Sequence, residues 1–211
     1  MKAFHVCFEG PSGSGKSTQA RILVSRLNDA GLKAVYIKSP NGTNFGKKVM
    51  EAILTECPNK LAEILAFSAC FCQTLNEQII PNLDRGVCVV SDRGIGSAYA
   101  HALYRCQGVI GDGLFEQIMS QVIGVGRAPI DLTFLMDLSV ERCVARKATS
   151  DDRSRLDVFD EAGLLEALSY RDLFMKFPHL NWRLINSEFG VDKVSELVWA
   201  QMQKLIGGCH G

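Results

Sequence analysis

The chain has 211 residues, 47% of them apolar, and its 23 lysines and arginines are balanced by 23 aspartates and glutamates. This length and apolar content supply one sizeable core, so a single domain over residues 1–211 is expected. Zero net charge without a long basic run argues against nucleic acid as the principal ligand, and no apolar run approaches the ~20 residues that cross a bilayer.

The first apolar run, Ala3 to Glu9, reads as a buried strand, and Met1-Lys2 precedes it without the features of a secretory signal, which predicts a cytoplasmic location. Gly10-Pro11-Ser12-Gly13-Ser14-Gly15-Lys16-Ser17 follows and satisfies the phosphate-loop pattern G-x-x-x-x-G-K-[ST], with Thr18 next. Beyond it Ala20, Leu23, Val24 and Leu27 recur at helical spacing up to Gly31, so the pattern lies in its required strand-loop-helix setting. Its glycines let backbone amides approach a β-phosphate, Lys16 reaches the β- and γ-phosphates, and the Ser17 hydroxyl suits Mg²⁺.

Lys33–Lys38 reads as a second strand, Ser39 to Thr43 as a turn, and Phe45 to Thr55 as a helix. A long helix is expected from Leu61 to Leu83, ending at Asp84-Arg85-Gly86. Val87 to Ser91 is almost wholly apolar, as a central parallel strand should be, and ends in Asp92-Arg93. Helices are predicted over Ser97–Tyr104 and Gly113–Ile123, a fourth strand over Asp131–Met136 ending in Asp137, and a helix over Val140–Arg146. Lys147 to Asp157, rich in charge and small polar residues, predicts a flap. A helix to Lys176, a fifth strand at Trp182–Ile185 and a closing helix over Val191–Ile206 complete the chain.

Five strands alternating with helices predict a parallel sheet whose ligands bind at the carboxyl ends of the strands. Glu9, Lys38, Asp92-Arg93 and Asp137 fall on that rim. Asp92 can hold Mg²⁺ or its waters and Arg93 can grip a phosphate with two prongs, although an aspartate here also caps helices. Arg142, Arg146, Arg153 and Arg155 surround the flap, where positive charge can close over a transferring phosphoryl group. The eight cysteines contain no CxxC pair and read as free thiols. His5 reads as a sheet residue, and His101, His179 and His210 show no metal-ligand spacing.

The ordered set of motifs resembles the thymidylate kinase type of nucleoside-monophosphate kinase over nearly the whole length. It comprises Phe8-Glu9-Gly10 with Gly13 to Gln19, Pro40 with Gly42-Thr43, Phe67-Ser68-Ala69, Val90 to Arg93 with Ser97 to Tyr99, Pro129 to Leu132 with Leu135 to Asp137, and Arg155 to Asp157. The resemblance implies a P-loop NTPase three-layer α/β sandwich with strand order 2-3-1-4-5 and a short lid over about residues 147–157. It implies ATP with Mg²⁺ as donor, dTMP as acceptor and a homodimer built on the long helices. Gly10, Ser12, Gly13, Ser14, Gly15, Lys16, Ser17 and Thr18 would form the donor loop, Ser17 and Asp92 the Mg²⁺ site, and Lys16, Asp92, Arg93, Arg153 and Arg155 the catalytic set. Glu9, Lys38, Pro40, Phe67, Phe71, Arg93, Ser97 and Tyr99 would face the acceptor, with Phe67 stacking on its base and Tyr99 near its sugar.

The departures from the family pattern concentrate on the acceptor side. Ser12 replaces an acidic residue, Phe71 an arginine that bonds the base, Gly94 an aromatic after the Asp-Arg pair, and Leu156 occupies the lid position near the base. A polar-to-apolar exchange at a base-reading position changes selectivity by large factors. A kinase for another or modified deoxynucleoside monophosphate, a nucleoside kinase and a non-catalytic nucleotide-binding module therefore stay open.

Overall fold

The computed structural model of the protein describes residues 3–56, 59–122, 129–148 and 161–208. The strands are β1 (His5–Glu9), β2 (Ala34–Lys38), β3 (Cys88–Asp92), β4 (Leu132–Asp137) and β5 (Trp182–Asn186). They form one parallel sheet in the order β2-β3-β1-β4-β5, as expected. Side-chain alternation divides the interior between the two faces of this sheet. Val6, Phe8, Phe134 and Met136 pack with Leu23 and Leu27 of α1 (Lys16–Asp29) and with Val194, Val198 and Met202 of α9 (Val191–Gly208). Cys7, Val89 and Leu135 face the opposite layer, which is built from α3 (Lys60–Thr74), α5 (Ile95–Tyr99) and α8 (Glu161–Lys176).

The expected long helix from Leu61 to Leu83 is α3, capped by the Asn59 side chain on the Ala62 amide, continuing through a π-helical segment, Leu75–Ile79, into α4 (Ile80–Asp84). The helix expected from Ser97 starts earlier, at Ile95, and runs from α5 into a second π segment, Ala100–Arg105. The remaining elements are α2 (Asn44–Glu56), α6 (Asp112–Gln117) with a π segment at Ile118–Val122, α7 (Val140–Ala148) and a 3₁₀ turn at Pro178–Leu180. Of the expected lid, Lys147 and Ala148 end α7, while Arg153, Arg155 and Leu156 lie outside the described residues. The six described cysteines form no disulfide among the described residues.

The connection from β2 into α2 is tightly wound, the backbone folding back on itself at two glycines. A Cβ on Gly42 would lie 2.0 Å from the Lys38 carbonyl oxygen and one on Gly46 2.2 Å from that of Pro40. Neither backbone oxygen can swing aside as a side chain would. Gly42→Ala is therefore expected to destabilise the protein by about 1–3 kcal/mol, read as a lower urea midpoint; an unchanged midpoint would show that this connection relaxes freely.

Candidate functional site

The loop between β1 and α1 depends on backbone conformations that favour glycine, with φ at +135° for Gly10, +85° for Gly13 and +95° for Gly15. A Cβ on Gly13 would also come within 2.9 Å of the Cys143 carbonyl. Lys16 reaches back over the loop, donating to the Pro11 carbonyl at 2.7 Å and lying 3.5 Å from the Ser14 hydroxyl. Burial, followed by the nearby positive charge of Arg93, lowers its pKa to about 7, against the favourable pull of Asp92 and Glu9. An anion bound in the loop would favour the charged form of this buried ammonium. Arg146 of α7 closes the same end, its guanidinium donating to the carbonyls of Gly13 and Ser187.

Asp92, at the end of β3, is buried beside the start of α1. Its Oδ2 accepts from the Ser17 hydroxyl at 2.6 Å and from the Tyr36 hydroxyl of β2 at 2.7 Å. A carboxylate and a hydroxyl held together next to a phosphate loop are the hard oxygen donors that Mg²⁺ selects, so the residues present fit that ion. Tyr36 was not anticipated; its place next to Asp92 follows from the register, which pairs Lys38 with Asp92 across β2 and β3.

Arg93 occupies the left-handed region, with φ +70°. Its guanidinium donates to the hydroxyls of Ser97 at 3.1 Å and Tyr170 of α8 at 3.2 Å. Glu9 was expected to face the acceptor. Instead its carboxylate points under the loop after β3: Oε1 accepts from the amides of Gly94 and Ser97 at 2.9 and 3.0 Å, and Oε2 from the Ser97 hydroxyl at 2.5 Å. Burial pushes this carboxyl up, and the Ser97 hydrogen bonds oppose the shift. Glu9 thus positions Arg93 and Ser97 and lies away from the cleft wall.

A cleft of about 470 Å³ runs along this rim of the sheet. It brings together Ser12, Gly13, Gly15, Lys16, Ser17, Thr18, Lys38, Pro40, Phe67, Asp92, Arg93 and Ser97 from the expected set, and adds Asn41, His101, Arg146, Lys147, Glu166 and Tyr170. Asn41 Oδ1 is buried without a hydrogen-bond partner among the described residues. Gly10 and Ser14 shape the loop from beneath.

Two further acceptor-side expectations are corrected. Tyr99 is 2% exposed and packs in the core on the rings of Phe177, at 4.4 Å, and Phe115, at 5.3 Å. The helix turns it inward, and His101 takes the wall instead, stacked on Phe67 at 4.4 Å and 16° between planes. Ser97 and His101 are four residues apart and share a helical face, so the Ser97 assignment contained the signal for His101. Phe71, 4% exposed, belongs to the core and borders only a separate recess of about 10 Å³ with Phe67, Arg93 and Gly94. Asp137, on the same rim, is committed to a two-pronged ion pair with Arg171 at 2.8 and 3.0 Å.

His101 Nε2 lies 3.0 Å from Glu63 Oε1 of α3 and 3.7 Å from Cys106 Sγ. Although burial opposes its charge, the hydrogen bonds with Cys106 and Glu63 push the imidazole up to about 9.

The model of the thymidylate kinase family matches residues 8–198. The thymidylate kinase of Thermomicrobium roseum is 30% identical, with 97% of this chain and 96% of that protein covered. The thymidylate kinase of Pseudomonas putida strain GB-1 is 33% identical with both chains covered in full. The crystal structure of thymidylate kinase from Ehrlichia chaffeensis superposes with a TM-score of 0.73 at 25% identity, over 96% of this chain and all of that one.

Because four donors converge on Glu9, from the Gly94 and Ser97 amides, the Ser97 hydroxyl and the Cys7 thiol, Glu9→Gln leaves at least one of them facing an amide NH₂ in a buried site. A loss of about 1–3 kcal/mol in stability is expected, measured by urea unfolding; full stability would mean that the loop after β3 is held elsewhere.

Proposed function

This chain belongs to the thymidylate kinase family, and we propose that it transfers the γ-phosphoryl group of ATP to dTMP, giving dTDP, as a single kinase domain. One observation carries the reading: a phosphate loop, an Asp-Arg pair and a half-buried aromatic ring line the same cleft. The loop amides and Lys16 hold the donor phosphates at one end, and Arg93 with Lys38 holds the acceptor phosphate. Phe67 presents its ring for base stacking, and Ser97 keeps the Arg93 guanidinium in place. Ser17 and Asp92 would hold Mg²⁺, which neutralises charge on the β- and γ-phosphates when bound. Arg153 and Arg155, outside the described residues, are assigned in this scheme to the lid that acts on the transferring group. Phosphoryl transfer draws on positioning and charge, so the lack of a general-base histidine at the loop is no obstacle.

ATP consumption measured with Mg²⁺ against a panel of nucleoside monophosphates and free nucleosides tests the reading. Turnover led by dTMP is expected, and turnover led by another acceptor would overturn the dTMP assignment. Lys16→Ala should abolish turnover while circular dichroism stays native; an active variant would refute the role of the loop.

No helix among the described residues is long and apolar enough to cross a membrane, and a cytoplasmic location goes with a role in nucleotide supply. A homodimer through α3 is part of the same proposal. Leu61 and Leu65, one helical turn apart, are 47% and 48% exposed there, an apolar pair that a second copy would cover. Leu65→Asp is expected to shift the mass in solution, read by light scattering, from dimer to monomer; an unchanged mass would place any interface elsewhere.

A further inference from the structure

Glu63, His101 and Cys106 have no role in the proposed phosphoryl transfer, yet they converge at a buried point beside the cleft. Each offers one ligand atom, all three residues are buried, and the three atoms lie within 4.8 Å of one another. The two distances to His101 Nε2 are 3.0 Å from Glu63 Oε1 and 3.7 Å from Cys106 Sγ. Tetrahedral zinc bonds of about 2.0–2.3 Å place neighbouring ligand atoms roughly 3.3–3.6 Å apart, so shifts of a few tenths of an ångström in these two separations meet that geometry.

The convergence has a local cause. His101 and Cys106 are five residues apart, a spacing that an α-helix splays, but the segment between them is π-helical and the Cys106 amide donates to the His101 carbonyl at 2.9 Å. The wider turn brings the two side chains to the same side, and π segments recur at functional positions in proteins. The His101 ring is fixed by its stack on Phe67, so its Nε2 edge is directed toward Glu63 and Cys106.

We propose that Glu63, His101 and Cys106 form a site for a divalent transition-metal ion of the zinc class. Imidazole, thiolate and carboxylate together are a set that zinc accepts and that Mg²⁺, which selects oxygen, does not. One carboxylate and one thiolate balance the charge of the dication in a buried place. Three protein ligands leave one tetrahedral position open, as in an accessible site. Phe67 lies one helical turn beyond Glu63 on α3, so the bound ion would clamp the α3 wall of the cleft to the segment carrying His101. The inference stands on this geometry and is independent of which acceptor the cleft takes.

The test is titration of the reduced, chelator-treated full chain with Co²⁺, followed by Zn²⁺. One equivalent of Co²⁺ is expected, with a thiolate-to-cobalt charge-transfer band and tetrahedral visible absorption, displaced by one equivalent of Zn²⁺. Cys106→Ser should remove the charge-transfer band and weaken zinc binding by about 100-fold or more, and Glu63→Gln by at least about tenfold. His101→Gln, which keeps the thiol, should lose the tetrahedral spectrum, so the proposal stays testable if Cys106→Ser does not fold. Cys72→Ser should leave the spectrum unchanged. Absence of stoichiometric binding, a charge-transfer band that survives Cys106→Ser, or an octahedral spectrum without sulfur coordination would each overturn the site.

Discussion

The buried carboxylate of Glu9 is the interaction on which the cleft depends. It ends the central strand, yet three of its four hydrogen bonds go to the loop after β3 and the first turn of α5, the fourth coming from the Cys7 thiol. That loop holds Arg93 at a positive φ, a conformation that costs an arginine about 1–3 kcal/mol. Three bonds to a carboxylate are of the order needed to hold it there. The same Ser97 hydroxyl that donates to Glu9 accepts from Arg93, so one buried acid sets the direction of the guanidinium through a single intermediary. Gly94 and Gly96 are part of the same constraint, since a Cβ on Gly94 would lie 2.8 Å from the Cys7 sulfur and one on Gly96 2.9 Å from Glu9.

Strand order explains why this constraint shapes both ends of the cleft. β1 lies between β3 and β4, and its loop and the loop after β3 leave the sheet side by side. The register aligns Phe8 with Asp92, which brings Ser17, Asp92 and Arg93 to the carboxyl edge together. Buried Lys16 and half-buried Arg93 are consequently close enough that the guanidinium lowers the pKa of the lysine. Asp92 and Glu9 offset part of that repulsion, and the Pro11 carbonyl with the hydroxyls of Ser97 and Tyr170 accepts their hydrogens. The cleft is thus organised for phosphates before any arrive, which lowers the reorganisation required during transfer.

Features that act through local chemistry were legible in the sequence. The apolar runs gave the five strands, and the glycine spacing with Lys16 and Ser17 identified the phosphate loop. Asp92-Arg93 stood out because it ends a central apolar strand at the sheet rim that also carries the phosphate loop. Features that depend on which way a side chain turns were not legible. Glu9 sits on the rim in sequence terms, but the next loop captures its carboxylate. Tyr99 and His101 differ by two positions on one helix, so choosing the aromatic over the imidazole placed the wrong ring at the wall. Phe71 shares the α3 face with Phe67 but lies one turn further along, where Arg93 and Gly94 help close off its recess. Phe71 therefore belongs to the core and not to the cleft wall.

The π segment after Tyr99 is the element that sequence periodicity was least able to foresee, and it accounts for the arrangement of that wall. In a continued α-helix, position 105 would follow His101 by one turn and fall beneath it. The wider turn puts Cys106 there and releases Arg105 to reach Glu166 of α8 at 3.2 Å. Glu166 and Tyr170 both line the cleft from α8, and Tyr170 meets Arg93 and Ser97. The extra residue in the turn therefore lets one short segment keep His101 on the cleft while fastening α8 across it. The walls on α3, on the π segment and on α8 are joined by ion pairs and hydrogen bonds at one place, and a shift of any of these elements would be transmitted to Phe67 and Arg93, which line the cleft.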